Sequence, residues 1–505
     1  MVTEGDKVLI NGKQYTLGAR LGGGLEGNIF NVEGFPNHVI KIINDNRMSR
    51  MQLNEIYKHL KWLKNLAAQK KIISQYMTVP KALLDDRLGY IMLKAGDHDS
   101  LKNYITPPGE PEDFDEWYKA DYTFKKRYQI IANMFYALRE IHLAGLVFTD
   151  LSPNNVMVHK TQNQIVFIDT DNTRRRTDSY LGVLGTPGYM APEIYRKPDT
   201  IFAETNNIDP KILSNCGRIT VESDIFSAAI IAFQLLTLQH PFIGDEIEKG
   251  TPEDEEGALE IKTDYIFKPD TTNTSSYGLT TKFEEITTPE IRDLFERTFI
   301  KGRDYPALRP TDEEFCEAFQ NALDRIVECQ SCGFSRLYNL NDGNKCINCE
   351  ENIGTKVSML IYNYFKDMKA DEAINSFGDY PQYDISIDNL RDADGKLPPN
   401  YVEVSRIVLE PGDKNSKYLY LHHFEKCTDR SKKFARVTLM DTEDSVKVQI
   451  LNNVYPNPAL IEKKTRKLTP LNKGKIFPID NYGVFFDTIK FGKGHIQIFC
   501  KFIKE

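Results

Sequence analysis

The sequence predicts an α+β fold over residues 8–328, followed by a small cysteine-rich element at 329–356 and an all-β domain at 357–505. Three observations predict it. Short apolar runs separated by turn residues, with a single helical pattern among them, fill residues 8–95 as a small α+β lobe. Long helical patterns dominate residues 96–328. Beyond Tyr401 short strands alternate with Gly, Asn and Pro, the pattern of a β-sandwich or small barrel.

The 505 residues leave room for two to four domains. A composition of 41% hydrophobic and 27% charged residues is that of a soluble globular protein. The net charge of −8, from 64 basic and 72 acidic residues, argues against a chain built to neutralise nucleic-acid phosphates. Met1 to Asp6 has no basic flank leading into an apolar segment, so no signal peptide is expected. The longest apolar helical pattern, Ile225 to Leu236, is too short to span a bilayer. The expectation is a cytoplasmic protein with no membrane partner. Eight cysteines are too few for a disulfide scaffold.

In the first lobe, strands are expected at 14–21, 29–32, 39–43, 79–84 and 89–93. Gly22, Gly24 and Gly27 give G-x-G-x-x-G between two strands, where no side chain blocks an approach to phosphates. A plain glycine-rich hairpin turn reads equally well. A dinucleotide-binding reading needs a helix straight after the glycines, and Ile29 to Val32 is a strand instead. Lys41 stands alone in the apolar run Val39 to Ile43, as an edge-strand charge or a phosphate ligand. The helix from Arg50 to Leu66 carries Leu53, Ile56, Leu60 and Leu63 on one face; Glu55 could pair with Lys41 or be a solvated helix charge.

A long helix, Phe124 to Ala144, leads into Phe148 to Asn155. There Asp150 and Asn155, five residues apart on a short loop, suit phosphoryl transfer: the aspartate accepts a proton from a hydroxyl and the asparagine holds a metal ion. Asp169 ends the strand Gln164 to Ile168, well placed to share that metal, though a turn rich in Asp and Asn is the bland alternative. The run Gly185 to Glu193 follows, then Asp224 at the start of the apolar helix, then Arg309.

In this order and spacing, the glycine loop, Lys41, Glu55, Asp150 with Asn155, Asp169, the run 185–193, Asp224 and Arg309 resemble the eukaryotic-type protein kinase family, over roughly residues 8 to 325. The run Gly-Thr-Pro-Gly-Tyr-Met-Ala-Pro-Glu is the most specific piece and resembles the serine/threonine-directed form. The resemblance implies a bilobal kinase-like fold, with lobes at 8–95 and 96–328, that uses ATP and Mg2+ on a protein substrate. It implies that Gly22, Gly24, Gly27 and Ile29 cover the nucleotide, and that Lys41, held by Glu55, contacts its phosphates. Asp150 would deprotonate the substrate hydroxyl, Thr186 would support Asp150, and Asn155 and Asp169 would hold Mg2+. Leu93 and Ala95 would meet adenine beside Met92, with Val39 and Met157 lining the ring. Glu193 and Arg309 would form a buried bracing pair.

The chain departs from the family at four places. Phe148-Thr149 replaces His-Arg, which argues against activation by a phosphorylated loop; Arg174 to Arg176, near Thr177 and Ser179, reads as a solvated basic turn. Ser152 replaces the lysine that neutralises the γ-phosphate, and Thr170 replaces the phenylalanine after the metal-binding aspartate. Asp171 replaces a glycine; it could add a second carboxylate near the metal, but an outward-facing turn residue is the favoured reading. The segment 235–244 and the Asp-x-Asp resemble a bacterial subgroup that carries a zinc ribbon. Its members are encoded with a PP2C-type phosphatase and a von Willebrand A-type protein, which the resemblance implies as partners. The acidic, then threonine-rich stretch 245–283 is expected to be a surface insertion with little structure of its own.

Cys329, Cys332, Cys346 and Cys349 form two C-x2-C knuckles with 13 residues between them, a spacing that sets four thiolates around Zn2+. A redox pair is the rival for a lone C-x-x-C. The zinc is expected to be a structural clip. Cys216, Cys316, Cys427 and Cys500 lack ligand spacing. In the β region, the basic stretch at 463–475 reads as a charged hairpin loop or a partner site, and no set of residues there suggests chemistry. Three functions stay open: a working kinase, favoured by Lys41, Asp150, Asn155 and Asp169 together; a nucleotide-binding pseudokinase, suggested by Thr149, Ser152 and Thr170; and a scaffold acting through 329–505.

Overall fold

A computed structural model describes residues 2–23, 27–44, 48–107, 117, 123–177, 185–196, 216–260, 263–275, 283–338, 345–346, 348–354, 356–364, 401–420, 423, 433–452, 458–465, 467–471, 474–491 and 494–504. The chain packs as two compact units. One comprises residues 1–118, 129–284 and 289–316; the other comprises 119–128, 285–288 and 317–505.

The first unit opens with an antiparallel sheet of β1 (Lys7–Ile10), β2 (Lys13–Gly23), β3 (Gly27–Val32), β4 (His38–Ile43), β5 (Ala82–Leu83) and β6 (Gly89–Leu93), in the order β1-β2-β3-β4-β6-β5. β1 is additional to the five expected strands. It joins β2 through Asn11 and Gly12, at φ 50° and 74°, the two-residue turn that Asn-Gly favours.

Alternation along the strands sorts the side chains. Val8, Leu17, Phe30, Val32, Ile40 and Ile42 pack on one face. Val39, Ile43, Tyr90 and Met92 pack on the other, against Leu60 of α1 (Arg50–Gln69). Lys41 shares the parity of Val39 and Ile43, so the period of two carries it onto the helix-covered face, only 3% exposed. α1 starts at a capping box formed by Ser49 and Gln52, and it buries Leu60, Leu63 and Ala67. The expected apolar face is thus buried only from Leu60 onward; Leu53 and Ile56 are half-buried.

Helical structure dominates the rest of this unit. The part of the Phe124–Leu143 helix that belongs to it, from Gln129 on, buries Ile130, Ile131, Met134, Phe135, Leu138 and Ile141 completely. The Val221–Thr237 helix is apolar on nearly all sides and accordingly sits inside the unit. Phe226 and Phe233 pack there with Phe242, Tyr265, Phe295 and Phe299. Among the described residues no helix is long and apolar enough to cross a membrane.

The stretch 245–283 departs from expectation. Its described part holds helices at Asp245–Glu248 and Pro252–Leu259 and buries Tyr265 and Ile266. The Asn273 side chain accepts from Gly244 N at 2.9 Å and donates to the carbonyls of Phe242 and Asp264 at 3.0 and 2.8 Å. A few apolar side chains, and one amide that satisfies three backbone groups, order a segment whose composition is polar.

In the second unit, the hairpin Ile326–Glu328 and Ser335–Leu337 carries the first cysteine knuckle. Two antiparallel sheets follow. One has the order 401–409, 357–364, 494–504, 482–491, 459–462, 468–470; the other has the order 417–420, 433–439, 445–450, 475–478. Met359, Ile361, Ile407, Ile498 and Phe502 of the first share an apolar cluster with Leu419, Val437, Val448 and Phe477 of the second. The strands 459–462 and 468–470 are additional to those expected. The turn between them carries Lys463 and Lys464, so those two lysines belong to a charged hairpin. Cys216, Cys316 and Cys500 are buried and form no disulfide among the described residues, and Cys427 lies outside the described residues.

Candidate active site

The loop 148–155 is hung on buried groups. Phe148, 1% exposed, packs on Phe167 with ring centroids 5.2 Å apart, taking an apolar slot where a histidine was the family expectation. The carboxylate of Asp224 accepts the backbone N–H groups of Phe148 and Thr149 at 2.6 and 3.0 Å. It also meets Nε2 of His142 at 3.1 Å, while Nδ1 of that ring meets Asp312 at 2.7 Å. Burial pulls the imidazole of His142 toward neutrality, but Asp224 and Asp312 outweigh it and hold the pKa up at about 9. Thr149, at φ 79°, donates its hydroxyl to the carbonyl of Asn172 at 2.9 Å. Asp169 is also left-handed, at φ 58°. Two non-glycine residues in that region, side by side at one site, mark backbone strain of the kind found at functional sites.

Asp150 is held from two sides. Thr186 Oγ1 donates to its Oδ1 at 2.8 Å, and Asn155 Nδ2 donates to its Oδ2 at 3.1 Å and to its carbonyl at 2.9 Å. With Nδ2 spent on Asp150, the Oδ1 of Asn155 is the group left to meet a cation. Across the cleft the ammonium of Lys41 is paired with Asp169, and with Asp171 Oδ2 at 2.6 Å. Burial lowers the Lys41 pKa, but Asp171 and then Asp169 more than offset this and hold it above the ordinary lysine value. Burial pushes the Asp169 carboxyl up, Lys41 opposes this, and the charges of Asp171 and Asp150 add to it. Three carboxylates against one ammonium leave an excess of negative charge. Hard oxygen donors under such an excess fit Mg2+.

The other expected site residues separate into groups. Gly22 and Gly27 lie on β2 and β3, while Gly24 lies outside the described residues. A side chain at Gly27 would meet the carbonyl of Ile42 at 2.5 Å, so close strand approach alone requires glycine there. Val39 pairs in register with Met92, and Ile29 packs beside both. Leu93 is 44% exposed, and Ala95 and Met157 are half-buried.

Two expectations are corrected. Glu55 does not meet Lys41: its side chain is 63% exposed and pairs with Lys58 at 2.9 Å, because Leu60, Leu63 and Ala67 turn the opposite side of α1 inward. Asp171 does not face outward: its side chain is 11% exposed and accepts from Tyr90 Oη at 2.9 Å in addition to Lys41. Sequence reasoning also missed Tyr90 and His142. The alternation of β4 and β6 could have flagged Tyr90, which is the register partner of Lys41. Thr170 is fully buried and donates its hydroxyl to the carbonyl of Thr78 at 2.6 Å, so a polar anchor stands where an aromatic was expected. Ser152 is buried, and its Oγ has no hydrogen-bond partner among the described residues. Half-buried Arg174 meets His59 through Nη1 at 3.2 Å; Arg175 lies 4.7 Å over Trp62 but, like Arg176 and Thr177, is exposed. Arg309 grips Glu193 with two bonds of 2.7 Å.

In the second unit the ligand atoms of Cys329, Cys332, Cys346 and Cys349 all lie within 4.8 Å of one another. The Sγ pairs 329–349 and 332–346 are each 3.7 Å apart. A tetrahedron with Zn–S bonds of about 2.3 Å has edges near 3.8 Å, so the cluster fits Zn2+.

A fold of this kind, with a buried lysine and paired aspartates facing an Asp–Asn loop, defines a phosphate-handling enzyme domain. Residues 15–318, more than half of the chain, match the protein kinase domain family, and the chain belongs to that family. It is 25% identical over 249 residues to serine/threonine-protein kinase MPS1 of Saccharomyces cerevisiae, covering 46% of this chain and 29% of that protein. It is 43% identical over 68 residues to serine/threonine-protein kinase PknG of Mycobacterium leprae, 14% of this chain and 8% of the relative. Over 216 residues it is 24% identical to serine/threonine-protein kinase nekl-2 of Caenorhabditis elegans, 41% of this chain and 52% of the relative. The chain thus spans about half or less of the length of these relatives.

Proposed function

We propose that this protein is a serine/threonine protein kinase that transfers the γ-phosphate of Mg-ATP to a hydroxyl of a protein, its own chain included. The observation that carries the reading is the pinning of Asp150 between Thr186 and Asn155, with Lys41 and Asp169 across from it. In this reading the substrate hydroxyl oxygen attacks the γ-phosphorus, its proton passes to Asp150, and the bond to the leaving ADP oxygen breaks. Asn155 and Asp169 hold Mg2+, which neutralises the phosphates. Lys41 contacts the phosphates, Thr186 orients Asp150, and Gly22, Gly24, Gly27 and Ile29 cover the nucleotide. Val39, Met92, Leu93, Ala95 and Met157 surround the adenine.

The reading divides the chain into lobes at 8–95 and 96–328, a zinc clip at 329–356 and an all-β domain at 357–505. Zn2+ is structural. The subgroup resemblance supports a PP2C-type phosphatase and a von Willebrand A-type protein as partners of a cytoplasmic signalling kinase.

Mapping phosphate by mass spectrometry after incubation with ATP tests the reading. New phosphoserine or phosphothreonine, on this chain or an added protein, that requires Mg2+ is the expected result. Nucleotide binding with no phosphate on any acceptor would contradict it. One observation favours the second reading, a pseudokinase: buried Ser152 brings no cation to the γ-phosphate.

A further inference from the structure

Lys41 is the one charged side chain on the helix-facing side of β4, and what holds it decides where its ammonium points. The family resemblance assigns that task to Glu55. The geometry points elsewhere. Glu55 sits about 140° around α1 from Leu60, at ~100° per residue over five residues. Swinging it to Lys41 would turn Leu60, Leu63 and Ala67 out of the interior. Asp171 is already in place. Its Oδ2 lies 2.6 Å from Lys41 Nζ, and its Oδ1 accepts from Tyr90 Oη at 2.9 Å. Lys41 and Tyr90 are directly opposed on β4 and β6, so their side chains share a face and converge on the two oxygens of one carboxylate. The backbone that presents Asp171 is fixed as well. It lies in a single 3-10 turn, Thr170–Asn172, whose first residue is anchored to Thr78.

We propose that Asp171 is the positioning residue for Lys41, with Tyr90 orienting its carboxylate, and that it takes over the work expected of Glu55. The inference rests on the kinase reading of this site. Asp169 also touches Lys41, but in that reading its carboxylate turns to Mg2+ when nucleotide binds. Asp171 then remains as the carboxylate that keeps the ammonium directed at the phosphates. The alteration Gly→Asp at this position and the exposed Glu55 thereby become two sides of one arrangement.

A double-mutant cycle tests this on the full chain. Lys41→Met, Asp171→Asn, their combination and Glu55→Gln are compared by calorimetric binding of Mg2+ with the non-hydrolysable analogue AMP-PNP, and by kcat/KM for transfer from ATP. Asp171→Asn is expected to weaken binding and kcat/KM roughly tenfold when Lys41 is present and less than about twofold when it is Met. Glu55→Gln is expected to lose much less than Asp171→Asn. Tyr90→Phe should move both readouts in the same direction by a smaller factor, and it carries the same cycle if Asp171→Asn fails to fold. Equal losses in both Lys41 backgrounds would make Asp171 a metal ligand or a folding residue and overturn the proposal. Tighter binding on Asp171→Asn, or a larger loss from Glu55→Gln, would overturn it too. Binding by the wild type without transfer defeats the kinase reading, while the binding cycle still decides this one. No binding by the wild type defeats both.

Discussion

Two histidines in the first unit carry opposite charge preferences, and each bears on a segment beside the candidate site. His142 bridges Asp224 and Asp312, and its pKa is raised from 6.5 to about 9. Its stabilisation is therefore fully present below pH ~6.5 and is lost as pH rises toward 9. His240 is buried, which lowers its pKa to about 4 against the opposing pull of the Gly188 carbonyl. Its Nε2 lies 2.8 Å from the Gly188 oxygen, and its Nδ1 accepts from Phe242 N at 3.3 Å, so the ring is a neutral donor and acceptor. Its contribution is present above pH ~6.5 and is lost as pH falls toward 4. Thermal unfolding across pH should thus fall off on both sides of a maximum near 6.5 to 7. His142→Gln should flatten the alkaline limb alone, and His240→Asn the acid limb alone. Unchanged limbs in these variants would show that other groups set the profile.

At the scale of elements, the region 185–196 is tied to the buried helix by Arg309. Its guanidinium grips Glu193, donates to the carbonyl of Glu222 at 2.9 Å and lies over the ring of Phe226 at 4.7 Å. Both charged side chains are essentially without solvent contact. Arg309→Met would leave Glu193 buried and unpaired, at a cost of about 3–5 kcal/mol. Urea unfolding measures that loss, and a change under 1 kcal/mol would mean the pair is not held as described. In the second unit the four thiols make a similar demand. The purified chain should contain one Zn2+, released by a strong chelator together with a fall in the unfolding temperature of that unit. Cys332→Ser should lower both metal content and unfolding temperature. Full stability in metal-free protein would contradict a structural role.

For the molecule as a whole, what the sequence disclosed depended on how each feature is encoded. Lys41, Asp150, Asn155, Asp169 and Thr186 stood out because phosphoryl transfer, the proposed chemistry, demands particular residue types in a particular order. The structure pairs Lys41 with Asp169 and sets Asn155 and Thr186 on Asp150. Most strands of the second unit were legible from turn residues and alternation. Glu55 was misread because its pairing with Lys41 came from the family resemblance, whereas the apolar side of α1 that packs lies roughly 80–160° around the helix from it, which leaves Glu55 the solvated helix charge that was its alternative. Asp171 was misread because a single 3-10 turn has no periodicity from which to infer direction. The segment after Gly244 looked structureless because its ordering comes from a few side chains, Tyr265, Ile266 and Asn273, in a polar background. The four departures from the family pattern are not gaps in the fold. Phe148-Thr149, Ser152 and Thr170 are buried, the Asp171 side chain nearly so, and all but Ser152 have identified packing, ionic or hydrogen-bond partners.

The central claim is that this buried, altered site still transfers phosphate. Incubation of the purified protein with Mg2+ and γ-labelled ATP, beside Asp150→Asn and Lys41→Met, measures it most directly. Label on the wild type, reduced at least 100-fold in Asp150→Asn while that variant still binds Mg-ATP, is the predicted result, in line with the roughly 10²–10⁴-fold contribution of a positioned general base. Equal labelling of all three proteins, or none on the wild type with any candidate acceptor present, would contradict it.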